Sequence, residues 1–454
     1  MIRALACLLA ILLLVGTLVA CGQKANGTDN GALSTTDTTT GTTLSSTTTA
    51  DPAGDTDDSS SVSKKTTATV RTTVIPSNKP TVSVLTPPKT TASITANKTT
   101  TKKTTTTKPI TGQALVAIDE DDYYGRSLLS GDLRKAYDRI ADAVEDLDTS
   151  VSLADLSVPK DEIMRIMQYY RDDYPQHFYL DDDDISFSHT GTKVHTLTLH
   201  YTMSKSDVAA AKAKVEKAVD KLLEGIHGGM TAYERERLIY RRLIQHVTYN
   251  KKGGTAIYDL YGALVNRQAV CDGYAHALQY LLYRAGIPCI RVTGSSKGES
   301  HVWNMVKLSN KWYYVDVTWD DPIVTDVTDF VGYTYLNVTE AQIKQDHNIE
   351  PIKQDGQTIS YSLPAATATD YNYFRQTGPT LSSFQYSKVL AHCRSVAADG
   401  DLWVGFKVTG SVNSFIEAFG EHYFDLQADV SGCFTLQYIQ SIEPVDGIIY
   451  IYIK

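Results

Sequence analysis

Residues 22–112, a run of 91, contain no Phe, Tyr, Trp or Cys and are built mainly of Thr, Ser, Lys, Asp, Pro and Gly. Such a stretch has too little apolar surface to offset the entropy of ordering a chain, so it is expected to be a disordered tether. It would span on the order of 50 Å as a flexible coil and up to about 280 Å in polyproline form. Everything that folds must therefore lie beyond it. The first aromatics there are Tyr123 and Tyr124, and residues 113–454 are enough for two or three small domains with their own cores.

Ahead of the tether, Met1-Ile2-Arg3 is a short positive start and residues 4–19 an uncharged apolar run, the pattern of a secretion signal over residues 1–20. Leu18-Val19-Ala20-Cys21 resembles the lipobox of bacterial lipoproteins. The resemblance implies cleavage before Cys21, lipid on its sulfur, and a protein held on the extracellular face of the membrane, its tether long enough to reach through a cell wall. The threonine density also permits O-glycosylation.

With 43 basic against 52 acidic residues the net charge is −9, which argues against nucleic acid as a partner. No Walker, Rossmann or zinc spacing appears, so neither cofactor nor metal is expected. The acidic runs Glu120-Asp121-Asp122 and 181–184 could gather oxygen ligands for calcium. They lack the glycine turn and distal glutamate of a known loop, and read instead as solvated turns.

Residues 128–147 and 160–170 carry helical periodicity, residues 185–187 and 194–203 read as strands, and residues 204–226 as a helix capped by Ser204 or Ser206. These make an α/β accessory region, 113–228. Thr231 with Glu234 three residues on forms a capping box for a helix through Val247. Past Pro322 the signals weaken. A C-terminal accessory domain, 346–454, is expected from a helix over 385–398, a further helix near 414–419, and strands over 402–409, 432–442 and 448–453. Tyr371, Tyr373, Phe374 and Trp403 could form a recognition surface, but strand aromatics usually face the core.

Chemistry concentrates in the segment between, 229–345. After Val270-Cys271-Asp272-Gly273-Tyr274, apolar residues Ala275, Ala277, Leu278, Leu281, Leu282 and Ala285 recur at helical spacing, and Gly286 with Pro288 stops the helix. Cys271 thus sits in a first turn, where unpaired N–H groups and the helix dipole favour a thiolate. A strand over 287–293, a flexible loop over 294–300, a strand over 301–308 and a return strand over 311–319 follow. If the last pair closes on Ser309-Asn310, then Leu308 lies opposite Lys311, Trp303 opposite Asp316 and His301 opposite Thr318. His301 and Asp316 are then diagonal neighbours, and a one-residue slip would part them. Taken singly, each residue has a structural explanation: a buried cysteine, a strand histidine, a turn aspartate. Together they make a thiol triad in which Cys271 attacks a carbonyl, His301 moves the proton and Asp316 orients the imidazole. Cys289, on an apolar strand, reads as core, whereas Cys393 and Cys433 could pair outside a cell.

Tyr261-Gly262-Ala263-Leu264, Ala269-Val270-Cys271-Asp272-Gly273-Tyr274-Ala275, Ala285-Gly286-Ile287-Pro288-Cys289, His301-Val302-Trp303-Asn304 and 312–320 together resemble the core of bacterial transglutaminase-like proteins. The resemblance implies an α+β papain-like fold, the cysteine on a helix and the histidine and aspartate on strands. It also implies acyl transfer on amides, by peptidase, amidase or transamidase chemistry. Peptides, proteins or peptidoglycan stem peptides are the expected substrates. The alternative is a catalytically silent copy of the fold that binds protein or cell-wall ligands. One oxyanion donor would be the Cys271 N–H; Gln268 is too close in sequence to be assigned as the other.

Overall fold

Two helix starts ahead of the central sheet follow from capping side chains. The Ser204 hydroxyl accepts from the Asp207 N–H, and Thr231 and Glu234 close the reciprocal box expected of them. The computed structural model describes residues 113–182, 184–324, 330–354, 357–430, 436–441 and 447–453, with two-residue strand fragments at 65–66, 81–82 and 84–85. The signal segment, Cys21, the rest of the tether and Cys433 lie outside these residues.

The N-terminal region comprises α1 (Gly131–Asp146), β1 (Ser150–Ser152), α2 (Lys160–Asp173), β2 (Ser186–Thr190), β3 (Lys193–Thr198) and α3 (Lys205–Leu222). Its strands pair antiparallel in the order β2-β3-β1. The strand expected to reach residue 203 stops at Thr198; beyond it Tyr201 makes only a single bridge, to Leu180. α2 runs three residues past the expected end and closes before Tyr174-Pro175, where the proline cannot continue a helix.

The central region follows, with α4 (Ala232–His246), α5 (Cys271–Arg284), β4 (Cys289–Ser296), β5 (Glu299–Leu308), β6 (Lys311–Val315) and β7 (His347–Ile349). These strands form one antiparallel sheet, ordered β6-β5-β4-β7. α5 packs across β5 and β4. Period-two alternation divides the sheet. Cys289, Val306, Leu308, Tyr313 and Val315 share a core with the helices, while Ile290, Val292, Trp303, Met305 and Tyr314 form a second cluster on the other face with Trp319 and Tyr335.

The β5–β6 turn is Ser309-Asn310, both residues at positive φ (46° and 62°), the geometry that matches hairpin twist. It sets the expected register, from Leu308 opposite Lys311 to Asn304 opposite Val315. The further pairs expected at Trp303–Asp316 and His301–Thr318 are not formed, because β6 ends at Val315 and the chain turns away. Residues 294–300 are not a loop either. β4 continues to Ser296, Lys297 and Gly298 turn at φ 51° and 80°, and β5 resumes at Glu299. The small residues that suggested a loop serve close packing instead: a methyl on Gly294 would lie 1.9 Å from the Asn348 carbonyl oxygen of β7.

The C-terminal region contains α6 (Tyr386–Ala398), β8 (Trp403–Val408), α7 (Val412–Glu421), α8 (Tyr423–Val430), β9 (Leu436–Ser441) and β10 (Ile448–Ile453). β10 lies between β8 and β9, antiparallel to both. Val404, Phe406, Ile449 and Ile451 face the helices, whereas Trp403, Ile448 and Tyr450 face the central region. The Tyr333 N–H donates to the Tyr450 hydroxyl across that junction (2.7 Å). Tyr373, Phe374 and Trp403 are core residues, and Cys393 is a free buried thiol. The described residues from 113 onward belong to one compact unit.

Glu236 of α4 is fully buried. Its Oε2 accepts from the Asn337 amide (2.7 Å), its Oε1 has no hydrogen-bond partner among the described residues, and burial lifts its pKa to about 8. A carboxyl raised in this way contributes stability that is complete below its unfolded pKa and is lost as pH rises through about 8. Glu236→Gln is therefore expected to match the parent near pH 4 and to exceed it by roughly 2–4 kcal/mol at pH 9. Urea unfolding at the two pH values checks this; a constant difference between them would contradict it.

Candidate active site

Cys271 opens α5. Its N–H, like those of the next residues, has no carbonyl one turn back within the helix, so the sulfur sits at the positive end of the dipole. The residue is fully buried among Ala275 and Val302, its sulfur a free thiol. The preceding Val270 is tied to residues 255–258 by donating its N–H to the Ile257 carbonyl (3.0 Å).

His301, on β5, is 1% exposed, and its Nε2 donates to Asp316 Oδ2 at 2.6 Å. With Nε2 so engaged, Nδ1 is the nitrogen left for Cys271; it is buried and has no hydrogen-bond partner among the described residues. Burial works against the imidazolium, but the charge and hydrogen bond of Asp316, with the Cys271 side chain, outweigh it and bring the pKa to about 10. Burial would likewise push the Asp316 carboxyl up, yet His301 and a second histidine hold it well below the usual carboxylate range.

Asp316 is placed by the end of the hairpin. Leaving β6, it folds back so that Oδ1 accepts from the N–H groups of Thr318 (2.9 Å) and Trp319 (3.1 Å). Tyr240 of α4 fastens the same turn by donating to the Asp316 carbonyl (2.9 Å) and to Asp320 Oδ2 (2.6 Å). Trp303 and Trp319 flank the His301 ring at centroid distances of 5.7 and 5.9 Å. Lys297, from the tight β4–β5 turn, lies over Trp319 at 4.6 Å.

The structure thus brings together Cys271, His301 and Asp316, and adds a residue that sequence reasoning missed. His347 of β7 directs Nε2 to Asp316 Oδ2 (3.0 Å) and Nδ1 to Asp346 Oδ1 (2.6 Å). Nothing in Asp346-His347-Asn348 signals this locally; the short strand is recognisable only through its pairing with β4. His301, Asp316 and His347 bring ligand-type atoms within 4.8 Å of one another, and both imidazoles turn Nε2 to the same Asp316 Oδ2. Gln268 does not join it: the residue is exposed and its Oε1 accepts from Asn250 (2.9 Å). Cys289 is buried on the β4 face away from His301, its thiol pKa raised well above normal by burial.

A buried ion cluster stands behind the cysteine. Arg291 of β4 donates from Nη1 to Asp272 Oδ1 (2.5 Å) and from Nε to Asp172 Oδ1 of α2 (2.8 Å). It links the residue after the thiol to the N-terminal region.

A helix-borne thiol thus packs against an antiparallel sheet that presents a carboxylate-held imidazole, within a mixed helix-and-sheet fold. Residues 220–317 match the family model of the transglutaminase-like superfamily. It is 28% identical over 141 residues to the kyphoscoliosis peptidase of Homo sapiens and 26% identical over 148 residues to that of Mus musculus. These matches cover 28% and 29% of this chain, and the chain spans about a fifth of the length of either relative, 21% and 22%. Among solved structures, the crystal structure of a TGase is similar at 14% identity and a TM-score of 0.24, over 41% of this chain and 54% of that one.

Proposed function

We propose that the chain is a cell-surface thiol enzyme, anchored through lipid on Cys21, that performs acyl transfer on peptide or side-chain amides. The observation that carries the chemistry is His301, held by Asp316 through Nε2 with Nδ1 left for a thiol at a helix N-terminus. The Cys271 sulfur attacks the amide carbonyl, forming a C–S bond. The imidazolium of His301 gives its proton to the amide nitrogen as the C–N bond breaks, leaving a thioester and a free amine. Water or a second amine then attacks the thioester, His301 takes its proton, and the thiolate departs. Water as acceptor makes the enzyme a peptidase or amidase, in keeping with the peptidase name of its relatives; a lysine amine makes it a transamidase. A surface location favours stem peptides or neighbouring proteins as substrates.

The test is alkylation of Cys271 by iodoacetamide across pH, read by mass spectrometry, in the parent and in His301→Ala. Both share the burial of the sulfur, so their ratio reports activation. The parent is expected to react at least about tenfold faster at neutral pH. Equal rates, with an ordinary thiol titration in both, would leave a silent binding module as the better description.

A further inference from the structure

We propose that His347 is a positioning residue of this thiol centre, a clamp that holds the second lone pair of Asp316 Oδ2 and so fixes the carboxylate on His301. The inference rests on the thiol-centre function proposed above and extends it to a residue outside the triad.

Three observations carry it. First, Asp316 is saturated, its Oδ1 accepting from the Thr318 and Trp319 N–H groups and its Oδ2 from His301 and His347. A buried carboxylate with one lone pair left bare would turn toward any available donor, and His301 would turn with it. Second, His347 is itself clamped: Asp346 Oδ1 holds Nδ1, while Asp346 Oδ2 accepts from the Tyr335 hydroxyl (2.6 Å). Both ring nitrogens therefore face carboxylate oxygens, and both must carry protons to donate. The resulting cation sits between two anions in a site 1% exposed. Third, the backbone is shaped to admit it. Gly294 has no side chain where one would strike Asn348, which lets β7 close on β4 and bring His347 opposite Ser296.

The groups facing His347 are Asp316 at the end of β6, His301 on β5 (ring centroids 5.4 Å apart), Tyr335, and Asp346 beside it in sequence. Trp303 and Trp319 wall the remaining sides at 5.0 and 4.7 Å, and the Lys297 ammonium lies beyond the Trp319 ring. The two carboxylates and the aromatic walls favour the cation. His301 opposes it, and by Coulomb reciprocity a cation on either ring disfavours one on the other. His347 thereby divides the pull of Asp316, leaving His301 able to surrender its proton to a leaving amine.

The experiment compares His347→Ala, His347→Gln and the parent by Cys271 alkylation rate across pH, with melting curves as the control for folding. A glutamine amide can still reach Asp316 with one N–H but carries no charge. The alanine variant is expected to lose about tenfold or more in rate at neutral pH and the glutamine variant to recover most of that loss. The alkaline limb of the glutamine profile is expected to move upward, because the undivided charge of Asp316 then acts on His301. An alanine variant that reacts like the parent, or a glutamine variant as slow as the alanine one, would overturn the clamp while leaving the thiol-centre function intact. A parent whose thiol is itself unactivated, and indifferent to His301→Ala, would overturn both. If the alanine variant fails to fold, the profile of the glutamine variant decides: an unmoved alkaline limb rejects the role.

Discussion

Asp316→Asn is expected to lower hydrolysis of an activated ester such as p-nitrophenyl acetate by on the order of 10³–10⁴-fold, with the fold retained. The loss follows from hydrogen-bond polarity. Two backbone N–H groups, from Thr318 and Trp319, hold Oδ1, so the asparagine oxygen must take that place and its NH₂ must face His301 and His347. An NH₂ can only donate there. His301 Nε2 is forced to become the acceptor, and the ring's proton moves to Nδ1, the nitrogen that should receive the proton of Cys271. The base is then present, close by and in the wrong tautomer. The charge that lifts His301 to about 10 is lost as well. In the parent, Asp316 contributes stability above its unfolded pKa that disappears as pH falls, while His301 contributes stability below its unfolded pKa that disappears as pH rises toward 10. The variant should therefore show a weaker fall in melting temperature on the acid side. Ester hydrolysis within tenfold of the parent would show that Asp316 does not govern the imidazole.

Much of this site was legible because its parts are encoded locally. The apolar periodicity after Cys271 and the Gly286-Pro288 stop bound α5 as observed, Cys271–Arg284. Ser309-Asn310 specifies a tight turn, and the turn alone fixes the β5–β6 register. His301 and Asp316 do meet, but through the turn that follows Val315 rather than through the expected diagonal pairing, since the ladder ends one residue before the aspartate. What was not legible depends on contacts between distant segments. Gly294 to Ser296 looks like loop composition until β7 arrives from more than fifty residues away to use the space a glycine leaves. His347 has the same origin. The helix α8, Tyr423–Val430, carries a weaker amphipathic pattern than its neighbour, and the sequence reading, which places a helix near 414–419, misses it. The role of Arg291 was hidden for the same reason, since its partners are 119 and 19 residues away.

Arg291→Met is expected to cost about 3–5 kcal/mol of unfolding free energy near neutral pH, the largest stability effect foreseen for a single substitution here. Arg291 is 9% exposed and Asp172 3% exposed, so the pair is held out of water. Its guanidinium bridges Asp172 of α2 and Asp272 of α5, and Asp172 is further engaged by Gln168 (3.0 Å) and the Tyr361 hydroxyl. Methionine fills the space of the stem but offers no charge, which leaves the buried Asp172 carboxylate on one side of it and the half-buried Asp272 carboxylate on the other. Removing one partner of a buried ion pair is costly because the other remains, whereas removing both leaves mainly a packing change. Asp172→Asn combined with Arg291→Met is accordingly expected to regain a large part of the loss, and lysine at 291, with a point charge in place of a planar fork, to fall between. The sign with pH also follows. Carboxylates stripped of a cation are destabilising when ionised, so the deficit of Arg291→Met should narrow as pH falls into the carboxylate range. Urea unfolding of the four proteins at neutral and acid pH checks each step. A loss under about 1 kcal/mol, or a deficit that does not change with pH, would mean that Arg291 is held there for reasons other than charge. Because Asp272 follows Cys271 in the first turn of α5, the same substitution should also loosen the seat of the thiol. Cys271 alkylation in whatever fraction folds should then lose its dependence on His301, which ties the ion cluster behind the helix to the chemistry in front of it.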